Sequence, residues 1–352
     1  MKENNRATEK YFAAANGYTG FVSYFDEVFN PREYERIFVL KGGPGTGKSS
    51  FMRKIKNALS NTQCKIEEIF CSSDPKSLDG IICTAENKKI ALLDGTSPHE
   101  RDAKIPGAVD SIINLGDNWD EEWLRGYRNE ILSLSKEKRD AYATAYFYLR
   151  LAGVAAEEIK RCETSYCNIK NLKTKAKSLA EKVSASGNGK TKTRLISSFG
   201  RYGEYKLDTF LSPENSVFSP VGREGEKALF MRALYGYLCE READMTVCPS
   251  PLDKDVIEAI YLSESRTLFT VAEVGESVEL SEKPSHSQEV LMEGVRCANT
   301  IRHDAMLEAE RWFSIASDLH FRLEKIYTRA MNFEKNEELY TKCLDKILKS
   351  LA

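Results

Sequence analysis

Residues 41–50, "KGGPGTGKSS", set four glycines, Lys48 and two serines between an apolar run and an amphipathic one. The spacing Gly42-x-x-x-x-Gly47-Lys48-Ser49 is that of a phosphate loop. Its chemistry needs these residue types. Glycines let successive N–H groups turn inward with no Cβ in the way, forming an anion nest at a helix N-terminus. Lys48 then reaches β- and γ-phosphates, and the Ser49 hydroxyl can ligate Mg²⁺. The expected nucleotide-binding set is Gly42, Gly43, Pro44, Gly45, Thr46, Gly47, Lys48, Ser49 and Ser50. The alternative is an ordinary glycine turn.

A cation on Ser49 calls for a carboxylate. Asp94, ending the apolar run "IALLD", stands where a Walker B aspartate would, although a strand-end aspartate can also simply cap a turn. Gly95 follows it, so the adjacent glutamate that polarises water in many ATPases is missing. Asp74, Asp79, His99 and Glu100 are the candidates for that role. Lys48, Asp94, Asp74 and His99 form the expected catalytic set, with Ser49 and Asp94 as metal ligands.

These residues need a frame. Ile37 to Leu40 reads as a short buried strand, followed after the loop by helical spacing at Phe51, Ile55 and Leu59. "CKIEEIF" (64–70) and "KKIALLD" (88–94) are the next strands. The nearly continuous apolar content of the latter suits a parallel strand buried on both faces, hence a doubly wound α/β core. From 121 to 183 apolar residues recur at three-four spacing without proline, as they do again from Trp312 to Ile326. Both read as helical arms with a seam for another helix. A break is expected near Gly153 or near "SYCN" (165–168). "SASGNGKTK" (184–192) reads as a mobile linker.

The plan occurs twice. "GKSSFMRKIKNAL" (47–59) lies over "EKALFMRALYGYL" (226–238) at an offset of 179, and "ENKKIALLDG" (86–95) over "ESRTLFTVAE" (264–273) at 178. "YFAAANGYTGF" (11–21) has a weaker echo in "LISSFGRYGEY" (195–205). In the second copy Gly47 becomes Glu226, Ser49 becomes Ala228 and Asp94 becomes Ala272, while Lys227 remains. A carboxylate at 226 would repel phosphate, and both Mg²⁺ ligands are gone. The first copy alone carries a long segment after its third strand, 95–120, with His99, Arg101 and Lys104. It reads equally as a nucleotide cover or second-substrate site and as a packed connecting loop.

The fold expectation is therefore α/β. Two tandem P-loop-like parallel-sheet cores are each followed by a long helical arm, and the second core is degenerate. The boundaries are 1–120 for the intact core, 121–190 for its arm and linker, 191–284 for the degenerate core and 285–352 for the last arm.

Bulk properties agree. At 352 residues, 41% hydrophobic and 30% charged, the chain suits two globular domains. A net charge of −2 gives no field to recruit nucleic acid or anionic membrane. Lysines are dense at 170–192, but interspersed glutamates make that stretch a solvated face. No apolar run spans a bilayer and the N-terminus lacks a signal-peptide core, so the expected location is cytoplasmic. The nine cysteines, an odd number without CxxC spacing, read as reduced thiols. The four histidines (His99, His286, His303, His320) show no paired metal spacing.

The chain resembles a bacterial family of uncharacterised tandem P-loop ATPases over nearly its whole length. The resemblance rests on "YFAAANGYTGFVSYFDEV", "KGGPGTGKSSFMRKI", "CSSDPKSLDG", "LLDGTSPHERDAKIPGAVDSIINLGDNWD" and "LHFRLEKIYTRAMNF". It implies ATP and Mg²⁺ bound through Gly42 to Ser49, and it assigns no substrate. The second loop departs from the better preserved form seen in that family. Within "DLHFRLE", His320 and Glu324 stand one turn apart and read as an interface pair.

Three functions follow as expectations. The first is a Mg-dependent ATPase whose helical arms move with nucleotide state and offer a surface to a protein partner. The second is a small-molecule or nucleotide kinase in which Asp74 or Asp79 deprotonates an acceptor and Arg101, Arg125 or Arg128 supplies charge. The third is a nucleotide-dependent switch without turnover. Oligomeric state is not legible in the sequence.

Overall fold

The computed structural model describes residues 8–60, 62–280 and 289–351. His286 and the expected boundary at 284–285 lie outside the described residues. The first half runs β1 (Glu9–Phe12), β2 (Ala14–Gly17), β3 (Gly20–Ser23), α1 (Phe25–Val28), β4 (Arg36–Lys41), α2 (Lys48–Ser60), β5 (Lys65–Phe70), β6 (Leu78–Ala85), β7 (Lys88–Asp94), β8 (Asp110–Asn114), α3 (Glu121–Gly126), α4 (Arg128–Thr164) and α5 (Ile169–Lys182). The second repeats it as β9 (Thr191–Thr193), β10 (Ser197–Gly200), β11 (Gly203–Lys206), β12 (Ser216–Val221), α6 (Glu224–Glu240), β13 (Met245–Pro249), β14 (Ile257–Leu262), β15 (Thr267–Thr270), β16 (Glu276–Glu279), α7 (Glu289–Arg329) and α8 (Phe333–Leu351).

The chain is α/β, with two six-stranded sheets ordered β1-β5-β6-β7-β4-β8 and β16-β12-β15-β14-β13-β9. Both sheets are mixed, which corrects the expectation of parallel cores. β6 pairs antiparallel with β5 and β7, and β14 does the same between β13 and β15. A return strand inserted between the two expected neighbours forces this reversal. The strand β4 that leads into the glycine loop keeps parallel partners on both sides, β7 and β8.

Nor are the sheets doubly wound. Helices cover one face of each sheet, and the other faces pack on one another. Ile37, Val39, Ile69, Ile82 and Leu93 of the first sheet share a core with Cys248, Ala259 and Leu268 of the second. The buried pair Arg194–Glu67, at 2.9 Å, spans the same interface. Each half thus supplies the layer that a second set of helices would otherwise provide.

The two halves are related by an approximate twofold. The hairpins β2–β3 and β10–β11 coincide at an offset of 183, with Gly17 over Gly200 and Gly20 over Gly203. Phe12 and Leu195, equivalent at that offset, exchange both backbone hydrogen bonds (2.8 and 3.2 Å), which places them on the axis.

The arms cross between the halves. α4 and α7, about 55 and 60 Å long at 1.5 Å per residue, pack along a seam of small residues including Ala141, Ala145, Ala309 and Ala316. The break after α4 falls at Ser165–Asn168, the "SYCN" stretch, whereas Gly153 stays helical and Tyr18 packs against its bare face. α5 then packs beside α6 on the second sheet, and α8 packs beside α2 on the first. Each sheet is therefore capped by the terminal helix of the other half. The segment read as a mobile linker is fixed. Asp244 accepts the N–H groups of Asn188 and Lys190, and β9 joins the second sheet. Among the described residues no helix is long and apolar enough to cross a membrane, and all nine cysteines are free thiols.

Candidate functional site

The loop 42–47 joins the end of β4 to the start of α2. Gly42, Gly45 and Gly47 take φ values of +143°, +69° and +84°, a region that side chains with a Cβ rarely enter. Among the described residues, the N–H groups of Gly43, Thr46, Gly47 and Lys48 donate to no protein acceptor. Lys48 is half-extended across the loop, its Nζ donating to the carbonyls of Gly42 (2.9 Å) and Gly43 (2.8 Å) and lying 3.6 Å from Asp94 Oδ2. The Ser49 hydroxyl accepts the Leu78 N–H at 3.0 Å. Asp94 accepts the Thr96 N–H and hydroxyl through Oδ1, which leaves Oδ2 toward Lys48. The donor set of Ser49 hydroxyl, Asp94 carboxylate and a cradle of Cβ-free backbone fits a magnesium triphosphate.

Asp79 and His99 join this group, and Asp74 does not. β6 carries a bulge, since Gly80 opposes Ile69 and Leu78 opposes Phe70, so Asp79 is the extra residue. Bulges re-aim side chains, and this one delivers a buried carboxylate 3.6 Å from His99 Nε2. Burial pushes the Asp79 carboxyl up to about 6, with Asp94 adding to the rise and His99 and Lys48 opposing it. His99 is held by a stacked Phe25 ring at 4.3 Å and by Phe21. Asp74 instead caps a turn, accepting the Lys76 N–H at 3.2 Å, and Glu100 is exposed. Arg101 is buried against Asp110 and Asp26. Within 95–109, His99 and Arg101 are buried, whereas Ser97, Pro98, Glu100, Asp102 and 104–108 are exposed.

The last arm reaches the loop directly, which the helical spacing did not reveal. A Cβ on Gly45 would lie 2.6 Å from the Glu324 carbonyl and from Thr328 Oγ1, and Asn336 of α8 donates to the Thr46 carbonyl at 3.1 Å. Trp119 packs on Gly43 and against Tyr327. Burial raises the Glu324 carboxyl, offset by Lys48 and the Gly45 N–H. Burial, with Lys138 and Lys48, pushes the neighbouring His320 down to about 4. The pair read as an interface therefore sits at the interface of arm and loop, 3.6 Å apart.

The equivalent place in the second half is filled by the protein itself. α6 begins at Glu224 with only two residues between it and β12, so most of the glycine loop has become a first helical turn. The Arg223 N–H donates to Glu226 at 3.0 Å, and the Gly225 N–H donates to Glu163 of α4 at 2.7 Å. Lys227 pairs with exposed Glu273 at 3.2 Å. Continuing the β12–β15 register past Phe218–Phe269 places Val271, rather than Ala272, at the position of Asp94. Glu226 is turned onto Arg223; the larger change is Glu163, whose signal was only a glutamate near the end of a helical run.

No family model, no curated protein and no solved structure matches this chain.

Proposed function

We propose that the first half binds ATP with Mg²⁺ and hydrolyses it, and that loop occupancy is passed to the α4–α7 pair, as in the tandem P-loop ATPases that the sequence resembles. The observation that carries this reading is the set of N–H groups of Gly43, Thr46, Gly47 and Lys48, which have no protein acceptor among the described residues and lie at the N-terminus of α2. A run of main-chain donors converging at a helix start favours an anion over water. In the second half the corresponding donors are spent on Glu226 and Glu163, which supports a structural role for that half.

Lys48 can exchange its two carbonyl partners for phosphate oxygens, since it is held by neutral acceptors and one carboxylate. Ser49 and Asp94 would hold Mg²⁺, which when bound neutralises charge developing on the phosphates. Asp79 and His99 stand beside Asp94, where directly or through a bound cation they would position and polarise the attacking water. Gly45 against Thr328 and Glu324 supplies the link from loop to arm. Phe147, Leu151 and Val154, exposed at successive turns of α4, offer the arm a surface for a protein partner.

A switch without turnover is the second reading, favoured by the same direct packing of the arm on the loop. The kinase alternative has less support, because Arg101 is buried on Asp110 and Arg125 is paired with Glu121. Phosphate release from ATP alone would establish the ATPase. Tight ATP binding without release would establish the switch, and turnover only with an added acceptor the kinase.

A further inference from the structure

We infer that Asp79, Asp94 and His99 form a binding site for a divalent metal ion of the imidazole-accepting class, Mn²⁺ or Zn²⁺ rather than Mg²⁺ alone, and that it fills without nucleotide. Among the described residues this is the one group whose ligand atoms, one from each of three His, Cys, Asp or Glu side chains, lie within 4.8 Å of one another.

His99 and Asp79 are placed as neighbouring ligands rather than as a hydrogen-bonded pair. His99 Nε2 and Asp79 Oδ2 are 3.6 Å apart, too long for a hydrogen bond. Two atoms each about 2.1 Å from one metal lie roughly 3.0–3.4 Å apart, close to that spacing. The His99 side chain is 6% exposed, makes no hydrogen bond through either ring nitrogen, and Nδ1 is buried without a partner. A buried imidazole left unsatisfied is costly unless a ligand completes it. Phe25 and Phe21 fix the ring plane, so the nitrogen is aimed before any ion arrives.

The second half supplies an internal comparison. Glu258 is the extra residue in the matching bulge, since Cys248 opposes Ala259 and Pro249 opposes Ile257. There the carboxylate is satisfied by the hydroxyls of Ser197 and Ser250, with no histidine beside it. In the first half the Cys71 thiol takes the place of Ser250 as a donor to Asp79, and His99 faces the carboxylate. One nitrogen with two carboxylates suits Mn²⁺ or Zn²⁺, whereas Mg²⁺ prefers oxygen alone. With three protein ligands the ion keeps open positions for water or a phosphate oxygen.

The test is calorimetric titration of the chelator-treated full chain with MnCl₂, without nucleotide. One Mn²⁺ per chain is expected, bound more tightly than Mg²⁺. His99→Gln and Asp79→Asn, each confirmed as folded by circular dichroism, should weaken binding by about tenfold or more. Wild-type affinity in folded His99→Gln, or equal affinity for Mg²⁺ and Mn²⁺, would overturn the inference. ATP titrated in chelator reads the glycine loop alone, so failure of either site is distinguishable from failure of the other.

Discussion

Glu163 Oε2 accepts the Gly225 N–H at 2.7 Å. That contact puts a carboxylate from the first half's arm on the helix start of the second half, where a phosphate would be held if the site were live. The same arm–loop relation recurs at the first loop, where Glu324 and Thr328 of α7 meet Gly45. Gly45 and Gly225 are equivalent at the offset of 180 that relates β4 to β12. The first contact is buried. The second borders the glycine loop.

Glu163→Ala should therefore destabilise the protein by about 1–3 kcal/mol, the cost of leaving a buried donor without its partner. Urea unfolding measures this directly. Sulfate should restore part of the loss by occupying the vacated helix start, raising the melting temperature of the variant more than that of the wild type. Equal sulfate effects on both proteins would show that Glu163 is not standing in for an anion.

Gly45→Ala tests the link between loop and arm. Alanine at φ +69° carries strain of roughly 1–2 kcal/mol, and its Cβ would also meet the α7 backbone at 2.6 Å. Gly189→Ala is the control, since its φ of +70° brings the same strain with nothing nearer than 3.9 Å. The Gly45 variant should lose more stability than the control and bind ATP more weakly. Matching losses would mean that α7 yields without resistance.

Asp79 makes stability depend on pH with a definite sign. Its folded pKa, about 6, lies above the ordinary value of 3.8. The folded state therefore holds the proton more tightly than the unfolded chain. This contribution is complete below pH 3.8 and is lost as pH rises through 6. In chelator, Asp79→Asn should be more stable than the wild type at pH 7.5, by on the order of 3 kcal/mol. The gap should close toward pH 4. A gap that widens on acidification would contradict the assigned burial.

The glycine loop, Lys48 and the strand ending at Asp94 were legible because each has a local signature: fixed spacing, a continuous apolar run and a change of period. β6 was not. Its "LDGIICTA" carries Asp79 and Gly80 where alternation would be read, and the bulge that makes Asp79 useful is what hides the strand. Missing it turned a mixed sheet into an expected parallel one. Periodicity marked the arms as having buried faces but not what they bury against. The exchange of α5 and α8 between halves therefore emerged only in three dimensions. His99 and Asp94 were named together from sequence, whereas Glu163 and Glu324 act through contacts more than 60 residues away in the chain, at Gly225 and Gly45.

The most direct measurement is the stoichiometry of ATP binding by calorimetry for the wild type, Lys48→Ala and Lys227→Ala. One ATP per chain is expected for the wild type and for Lys227→Ala, and none for Lys48→Ala. Two sites per chain, or binding that survives Lys48→Ala and disappears in Lys227→Ala, would contradict the account.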